Sequence, residues 1–379
     1  MKIPIANSQR GFSLLELTVA SSIGLIGILA MTSLFRQGMN ATFTVTQRAE
    51  TQQNMRAAIE LMTKDLSMAG AGLPSGGLQL ATTSGNSKVA CNQTGTCYVA
   101  GDTYPNGNFM YGILPGFDNG VESGTIITSA PAAVNDSVTS IYCDYNFPLT
   151  NFTFTFPSTT QVNVSVVSAA VTPNNILAPG GLNVGDLMLF LVSTPGNGKG
   201  SGGTSDAQTA AAVAEITGLP SNTQINFATG DPLNFNQTGA NSLAAVAAAY
   251  VAGTTITVCR LNAVTYFLQV PPAGSTVQTV RLMRQVNGLN AVPVADNIIN
   301  LQFSYDVINS TGGTMSANQS NPVASGLSPA LIQKVNMWVM GQSLLSAGNK
   351  FQSMYLASST STGNMSFCNS YSANSTVCQ

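Results

Sequence analysis

Charged residues and histidine are what this sequence has least of. Only 7% of its 379 residues are charged, against roughly 25% in an average soluble domain. Its 13 Lys and Arg residues are balanced by 15 Asp and Glu residues, so there is no basic surface to bind a phosphate backbone and nucleic acid is not an expected partner. Because histidine is absent, zinc sites with imidazole ligands and catalytic triads with an imidazole base are excluded.

The cysteines show no CxxC pair and no metal-ligand spacing, which favours disulfides in an oxidising compartment. The six are Cys91, Cys97, Cys143, Cys259, Cys368 and Cys378. Six cysteines allow 15 connectivities. Proximity in the chain favours Cys91 with Cys97 and Cys368 with Cys378, which leaves Cys143 and Cys259 as a third candidate pair. We expect no bound metal and no cofactor.

A long apolar segment over residues 12–35 contains a single ionisable side chain, Glu16. As a helix it would extend about 36 Å, which is enough to cross a hydrocarbon core of roughly 30 Å. Lys2 and Arg10 precede it and favour a cytoplasmic N-terminus. The sequence therefore predicts a single transmembrane helix.

Glu16 is the unusual residue of this segment, because a charged group at the centre of a membrane helix costs about 2.5–3.5 kcal/mol. On a helical wheel it shares a face with Ala20, Gly24 and Gly27, whose small size permits close helix packing. We therefore expect a charged partner on a neighbouring helix. The alternative is that Glu16 lies near the interface, where its side chain reaches water, and that the small residues are incidental.

Residues 10–19, RGFSLLELTV, resemble the prepilin signature of type IV pilins and type II secretion pseudopilins. That signature is a basic leader ending in Gly, followed by Phe, with Glu at the fifth mature position. The resemblance implies cleavage after Gly11 by a membrane prepilin peptidase and N-methylation of Phe12. It also implies that Glu16 pairs with the N-terminal amine of a neighbouring subunit during assembly. Many major pilins have a proline in this helix, and residues 12–35 contain none.

The helical pattern continues beyond the apolar segment and becomes amphipathic. One face carries Met55, Ala58, Ile59, Met62, Leu66 and Ala69. Gly and Pro residues at 70–74 predict the end of the helix, and the alternative is two helices that break near Gly38. The predicted organisation is a leader over residues 1–11, a transmembrane and filament-core helix over 12–35, a helical stalk over 36–72 and a β-rich head over 73–379.

Short runs of alternating apolar residues in the head predict antiparallel strands. These runs are residues 152–156, 162–166, 264–270 and 299–307, and residues 186–192 read as a strand buried on both faces. Alanine-rich residues 210–213 and 244–252 predict short helices. The fold class is therefore α+β and pilin-like, with a long N-terminal helix packed on an antiparallel, disulfide-containing head.

Several head segments resemble, in their order, the PilW family of minor pilins. They are residues 185–187, 263–268, 280–284, 293–305 and 334–340. The resemblance implies a subunit that primes pilus assembly near the filament tip, inserted first in the inner membrane and then carried into the extracellular pilus. Its implied partners are other minor pilins, the major pilin, prepilin peptidase and the inner-membrane assembly machinery.

Three other interpretations stay open. A J-type pseudopilin of a type II secretion system shares the leader and Glu16, although the head here is large for that family. A pilus-tip adhesin would use the aromatic cluster of Tyr98, Tyr104, Tyr111 and Phe117 with Asp102 and Asp118. The alternative is that these rings fill a small disulfide-bounded subdomain, because aromatic rings are usually buried. An enzyme or a Ca²⁺ site would need carboxylates such as Asp118 with Glu122, or Asp231 near Asn234 and Asn236. No known catalytic motif contains them, so no catalytic residue is predicted.

Overall fold

The computed structural model describes residues 12–74, 76–85, 87–91, 97–99, 109–118, 135–194, 207–269, 279–309, 313–343 and 351–363. The chain forms two compact units. The first comprises Met1–Thr51 with Ser343–Gln352, and the second comprises Gln52–Gln342 with Ser353–Gln379.

A single helix, α1, spans Leu14–Ser67, a length of 54 residues. The alternative of a break near Gly38 is wrong. Gly38 lies inside the uninterrupted helix, and the Thr42 hydroxyl donates to the Gly38 carbonyl at 3.0 Å, a side-chain bond to the preceding turn. One glycine costs a helix only about 1 kcal/mol, which the flanking residues offset.

The helix ends where its glycines allow the chain to turn onto the head. Gly70 and Gly72 have φ angles of 81° and 76°, a left-handed conformation that side chains disfavour. The Gly70 amide donates to the Ile141 carbonyl at 2.9 Å. A Cβ added at Gly72 would lie 2.7 Å from the Cβ of Cys143, so only glycine fits there.

The second unit contains antiparallel sheets connected by turns. The strands of the two-stranded and seven-stranded sheets are β1 (Leu78–Gln79), β2 (Lys88–Cys91), β3 (Cys97–Val99), β4 (Phe109–Met110), β5 (Ile113–Gly116), β6 (Ser137–Asp144), β9 (Leu187–Thr194), β10 (Ala207–Glu215), β13 (Thr255–Gln269), β14 (Arg281–Val286) and β15 (Val292–Asp296). Those of the two four-stranded sheets are β7 (Phe152–Ser158), β8 (Gln161–Val166), β11 (Gly218–Ser221), β12 (Gln224–Asn226), β16 (Ile298–Ile308), β17 (Met315–Gln319), β18 (Ile332–Gln342) and β19 (Ser353–Ser361). Helix α2 spans Leu243–Ala249, and short 3-10 turns cover Leu149–Asn151 and Pro329–Leu331.

The long strand β13 organises the largest sheet, whose main path runs β10-β9-β13-β14-β15. Its first half pairs with β9, its middle with β6 and its last residues with β14. The two four-stranded sheets have the orders β11-β12-β8-β7 and β17-β16-β18-β19. A strand that changes partners along its length joins the cores on either side of it.

Three apolar clusters fill the second unit. The first packs the last turns of α1, including Met55 and Met62, against the inner face of β16 and β18. The second lies around the middle of β13, with Leu189 and Leu261 in it. The third packs α2 and the β7–β8 hairpin on the outer part of β9 and β10.

The strands predicted from alternating patterns are confirmed. In β16, Leu301, Phe303 and Tyr305 are buried, whereas the residues between them are partly exposed. Residues 187–190 of β9 are all buried, as expected of a strand covered on both faces. The helix predicted within 244–252 is present as α2.

The helix predicted over residues 210–213 is wrong, because this segment belongs to strand β10. Ala212 pairs with Phe190 of β9 in an antiparallel register. Alanine has a high helix propensity, but pairing with a buried strand outweighs it. The small side chains also allow α2 to pack closely on β10.

Candidate functional site: the N-terminal helix and its anchor

The start of α1 is fixed by a capping box. The Glu16 carboxylate accepts a hydrogen bond from the Ser13 amide at 3.0 Å, and the Ser13 hydroxyl accepts one from the Leu15 amide at 3.3 Å. Ser-x-x-Glu is the sequence pattern of this cap; residues 13–16 contain it, although the cap is not among the features predicted above from the sequence. Phe12 and Ser13 therefore precede the first helical turn.

Glu16 thus occupies the positive end of the helix dipole, where a carboxylate is favoured. Its side chain holds the backbone one residue after Phe12, the first residue that the structure describes. The cleavage residue Gly11 and the leader lie outside the described residues. The role of Phe12 as the methylated residue stays a prediction.

The apolar segment over residues 12–35 exposes large hydrophobic side chains on all sides. Phe12 is 87% exposed, Leu14 80% and Met31 74%. Ala20, Gly24 and Gly27 are exposed as well, and an added Cβ at either glycine would meet no atom within 4 Å. A contiguous apolar surface of this kind requires a cover of lipid or neighbouring helices.

Hydroxyl groups within this segment are satisfied by the helix itself. Ser21, Ser22 and Thr32 donate to carbonyl oxygens three or four residues earlier at 2.8–3.0 Å. In an apolar environment an unbonded hydroxyl would be costly. By length and composition α1 can cross a membrane, and its most apolar window has a mean hydropathy of 2.0.

The other end of α1 carries a buried carboxylate, Asp65, which is 2% exposed. Arg284 of β14 donates to it from Nε at 2.8 Å and from Nη2 at 3.3 Å. The hydroxyls of Tyr142 and Tyr266 donate to it at 3.1 and 2.6 Å, and the Ser140 hydroxyl donates to its backbone carbonyl at 2.7 Å. These contacts attach the last turn of α1 to three strands. We call the set of Asp65, Tyr142, Tyr266 and Arg284 the Asp65 anchor.

The electrostatics of the Asp65 anchor keep the two phenols and the guanidinium protonated. Burial raises the pKa values of Tyr142 and Tyr266, and the adjacent Asp65 raises them further, because a second negative charge there would be repelled. Burial lowers the pKa of Arg284, but its hydrogen bonds and charge attraction to Asp65 outweigh that effect and the net change is upward. The anchor is therefore one carboxylate held by a guanidinium and two neutral phenols.

Cys143 of β6 and Cys259 of β13 form a disulfide, with their Cα atoms 5.7 Å apart. The bond closes a sequence separation of 116 residues and ties together the strands that meet Gly72 and the Asp65 anchor. The register of β2 and β3 places Cys91 opposite Cys97, but their side chains are not described. Cys368 and Cys378 lie outside the described residues.

The candidate Ca²⁺ loop around Asp231 uses its oxygens internally. The Asp231 carboxylate accepts the amides of Phe235 and Asn236 at 2.7 and 2.9 Å. The Asn236 side chain donates to the Glu215 carbonyl at 2.8 Å. Asn234 has a left-handed backbone, with φ 57°. Within the described ranges no group of three or more Cys, Asp or Glu side chains could hold a metal ion.

Two buried carboxyls in the head have raised pKa values. Burial, reinforced by the adjacent Asp231, raises the pKa of Glu215 to about 7. Burial raises the pKa of Asp136 to about 6, although its acceptance of the Phe303 and Asp118 amides partly opposes this. Asp118 meets Asp136 through its backbone, and Glu122, its proposed catalytic partner, lies outside the described residues.

Two rings of the aromatic cluster proposed for an adhesin, Tyr111 and Phe117, lie within the described residues. Tyr111 is 2% exposed and belongs to the second apolar cluster, so for this ring the alternative of burial is confirmed and the ligand-binding role is excluded. Burial of aromatic rings is the usual outcome in a core. Phe117 is 39% exposed. The side chains of Tyr98, Tyr104 and Asp102 are outside the described part.

Comparison with models of protein families matches residues 6–32 to the prokaryotic N-terminal methylation motif. No curated protein matches the chain, and no solved structure does. The matched segment includes Gly11, Phe12 and Glu16. Together with a long apolar helix followed by a β-rich region, it supports a type IV pilin-like or pseudopilin protein anchored in a membrane.

Proposed function

We propose that this protein is a minor pilin that is processed by prepilin peptidase and helps to prime pilus assembly near the filament tip. The observation that carries the proposal is the position of the methylation motif, whose residues 6–32 include the start of a continuous 54-residue helix with exposed apolar side chains. In this proposal the protein acts through its contacts with other subunits, and we assign no enzymatic activity to it.

Processing would create an N-terminal amine that can pair with the Glu16 carboxylate of an adjacent subunit. Cleavage after Gly11 leaves the amine of Phe12 next to Ser13, whose amide binds Glu16. In lipid the lone carboxylate is unfavourable, and the amine of an adjacent subunit supplies the opposite charge. Ala20, Gly24 and Gly27 then allow the helices to approach closely.

The remaining assignments follow from this role. The protein would be inserted in the inner membrane with a cytoplasmic N-terminus and then leave with the filament. Its partners would be other minor pilins, the major pilin and the inner-membrane assembly machinery. A J-type pseudopilin of a type II secretion system is the alternative. The large head, which contains two four-stranded sheets besides the seven-stranded one, favours the pilus.

Mass spectrometry of the mature N-terminus tests the processing step. The expected first residue is N-methylated Phe12, and a chain that retains Met1 or begins beyond residue 35 would refute the proposal. Co-purification with the other pilin-like subunits of the same cell then distinguishes a pilus from a secretion system.

Glu16→Gln separates the two functions of the carboxylate. Glutamine keeps an acceptor for the Ser13 amide, because it also forms capping boxes, but it carries no charge. We expect this variant to be cleaved and membrane-inserted yet absent from filaments. Normal incorporation of Glu16→Gln would show that charge pairing is not required.

A further inference from the structure

The outer face of the β17-β16-β18-β19 sheet contains a trough. Side chains alternate along β16, so that Phe303 and Tyr305 enter the core whereas Gln302 and Ser304 occupy the opposite face. The trough has a volume of about 490 Å³, which is within the range of small-molecule sites. It lies entirely within the second compact unit.

The strand register explains why the face is concave. Asn336 of β18 pairs with Ser304 on one side and Ser359 on the other, and Trp338 pairs with Gln302 and Ala357. Small residues, Ser304, Ala357 and Ser359, therefore form a floor beside the tall ring of Trp338. Asn318 of β17 lines the far side. We call this set of residues the Trp338 trough.

Trp338 is held as a wall by a second ring. Tyr355 of β19 stacks on it with the ring centroids 6.0 Å apart and the planes 28° from parallel. Tyr355 is 70% exposed and does not line the trough. The indole is therefore supported from outside the trough.

The two asparagines of the trough are neutral and held by hydrogen bonds. The Asn336 amide donates to Asp306 at 3.1 Å and to Asn318 at 3.2 Å, which sets the orientation of both asparagines. Asp306 is also paired with Lys334 at 3.7 Å. Among the described residues, the lining carries hydroxyl and amide groups and no charged side chain.

These features select one class of ligand. Ten of the residues that the structure describes line the trough, fewer than the roughly 20–30 residues a side of a stable protein interface. A charged ligand or nucleic acid would need unpaired cations, and the nearby Lys334 is paired. A flat apolar ring beside neutral donors and acceptors matches a sugar, whose ring has an apolar C–H face and a rim of hydroxyls.

We propose that the Trp338 trough binds a short neutral oligosaccharide, with one sugar ring stacked on Trp338 and its hydroxyls bonded to Asn318, Asn336 and Ser304. This surface is separate from the aromatic cluster around Tyr111. It does not depend on processing at Gly11, so its test is independent of the assembly role.

Trp338 is the single tryptophan of the chain, and its fluorescence therefore reports on the trough directly. Full-length protein in a detergent without a sugar headgroup is titrated with cellotetraose, chitotetraose and maltotetraose. We expect a saturable change in Trp338 emission with at least one of the three. No saturable change with any of them would overturn the proposal.

Ala357→Gln fills the floor of the trough without removing the reporter, and residue 357 is exposed, so the fold tolerates the change. It should weaken binding at least about tenfold. Ser353→Gln, on the same face of β19 but outside the trough, is the matched control and should bind normally. Equal affinity of Ala357→Gln and Ser353→Gln would contradict the proposal.

The positioning role of Tyr355 gives a second measurement. Tyr355→Ala removes the support of the indole and should weaken binding severalfold, whereas Tyr145→Ala, at a 62% exposed tyrosine elsewhere on the head, should not.

Self-association of the protein through this face is the competing outcome. If the emission of Trp338 changes with protein concentration and sedimentation detects a dimer that Ala357→Gln abolishes, the face is a contact between copies and the proposal is wrong.

Discussion

Replacing Asp65 by asparagine tests whether the Asp65 anchor holds the end of α1 to the head. The substitution preserves the shape of the side chain but removes the charge that Arg284, Tyr142 and Tyr266 bind. Breaking a buried ion pair by removing one partner costs about 3–5 kcal/mol. Asparagine keeps one acceptor oxygen, so we expect a loss near the lower end, about 3 kcal/mol.

The assay is thermal or guanidinium unfolding of the full-length protein, followed by Trp338 fluorescence. A loss of about 3 kcal/mol should lower the Tm by roughly 5 °C for a head of this size. Arg284→Met should destabilise comparably, because it leaves Asp65 buried beside two phenols alone. The double variant should lose less than the sum, since no uncompensated charge remains.

A neighbouring exposed pair provides the control. Arg281, on the same strand as Arg284, binds Asp296 at 2.7 Å, but Asp296 is 51% exposed. Solvent screening reduces such a pair to about 0–1 kcal/mol, so Asp296→Asn should leave the Tm almost unchanged. If Asp65→Asn unfolds at the same temperature as Asp296→Asn, the reasoning about the buried anchor is refuted.

Three further outcomes are expected. Burial raises the pKa of Glu215 from about 4.5 to about 7. The protonated side chain therefore contributes stability that is complete below its unfolded pKa of about 4.5 and is lost as the pH rises through 7. Glu215→Gln should reduce the difference between the Tm at pH 5 and the Tm at pH 8, and an unchanged difference would contradict the raised pKa. Removing the disulfide with Cys143→Ser and Cys259→Ser should lower the unfolding free energy by about 2–5 kcal/mol, measured by guanidinium titration, and a loss below 1 kcal/mol would count against a stabilising role. Ser13→Ala should speed amide hydrogen exchange in the first turn of α1, because the cap contributes about 1 kcal/mol. Glu16→Gln should change the exchange rate less. Equal rates in the unmodified protein and both variants would exclude the cap.

Strands with a one-sided core were predictable from the sequence. Leu301, Phe303 and Tyr305 alternate with polar residues because one face of β16 is buried, and that periodicity is visible in the chain. Residues 210–213 gave no such signal. Alanine fits either a helix or a strand, and only the neighbouring β9 decides between them.

The candidate site was predictable where it depends on local sequence. The Gly11, Phe12 and Glu16 motif and the Ser13 cap lie within six residues of one another. The Asp65 anchor does not: its partners Tyr142, Tyr266 and Arg284 lie 77, 201 and 219 residues away along the chain. No local pattern encodes contacts at such separations. Likewise, the Trp338 trough exists only once four strands, β16 to β19, adopt their register.

The small number of charges has a consequence for how the head is held together. Asp65 with Arg284, and Asp144 with Arg260, are ion pairs whose side chains are at most 23% exposed. Salt screens charges exposed to water over about 8 Å at physiological ionic strength, but it screens buried pairs much less. Since Glu215 and Asp136 change protonation near neutral pH, the stability of the head should depend on pH far more than on salt. Because the surface carries little charge, the electrostatic contribution to the stability of the head comes mainly from buried groups, among them the ion pair that connects α1 to the strands.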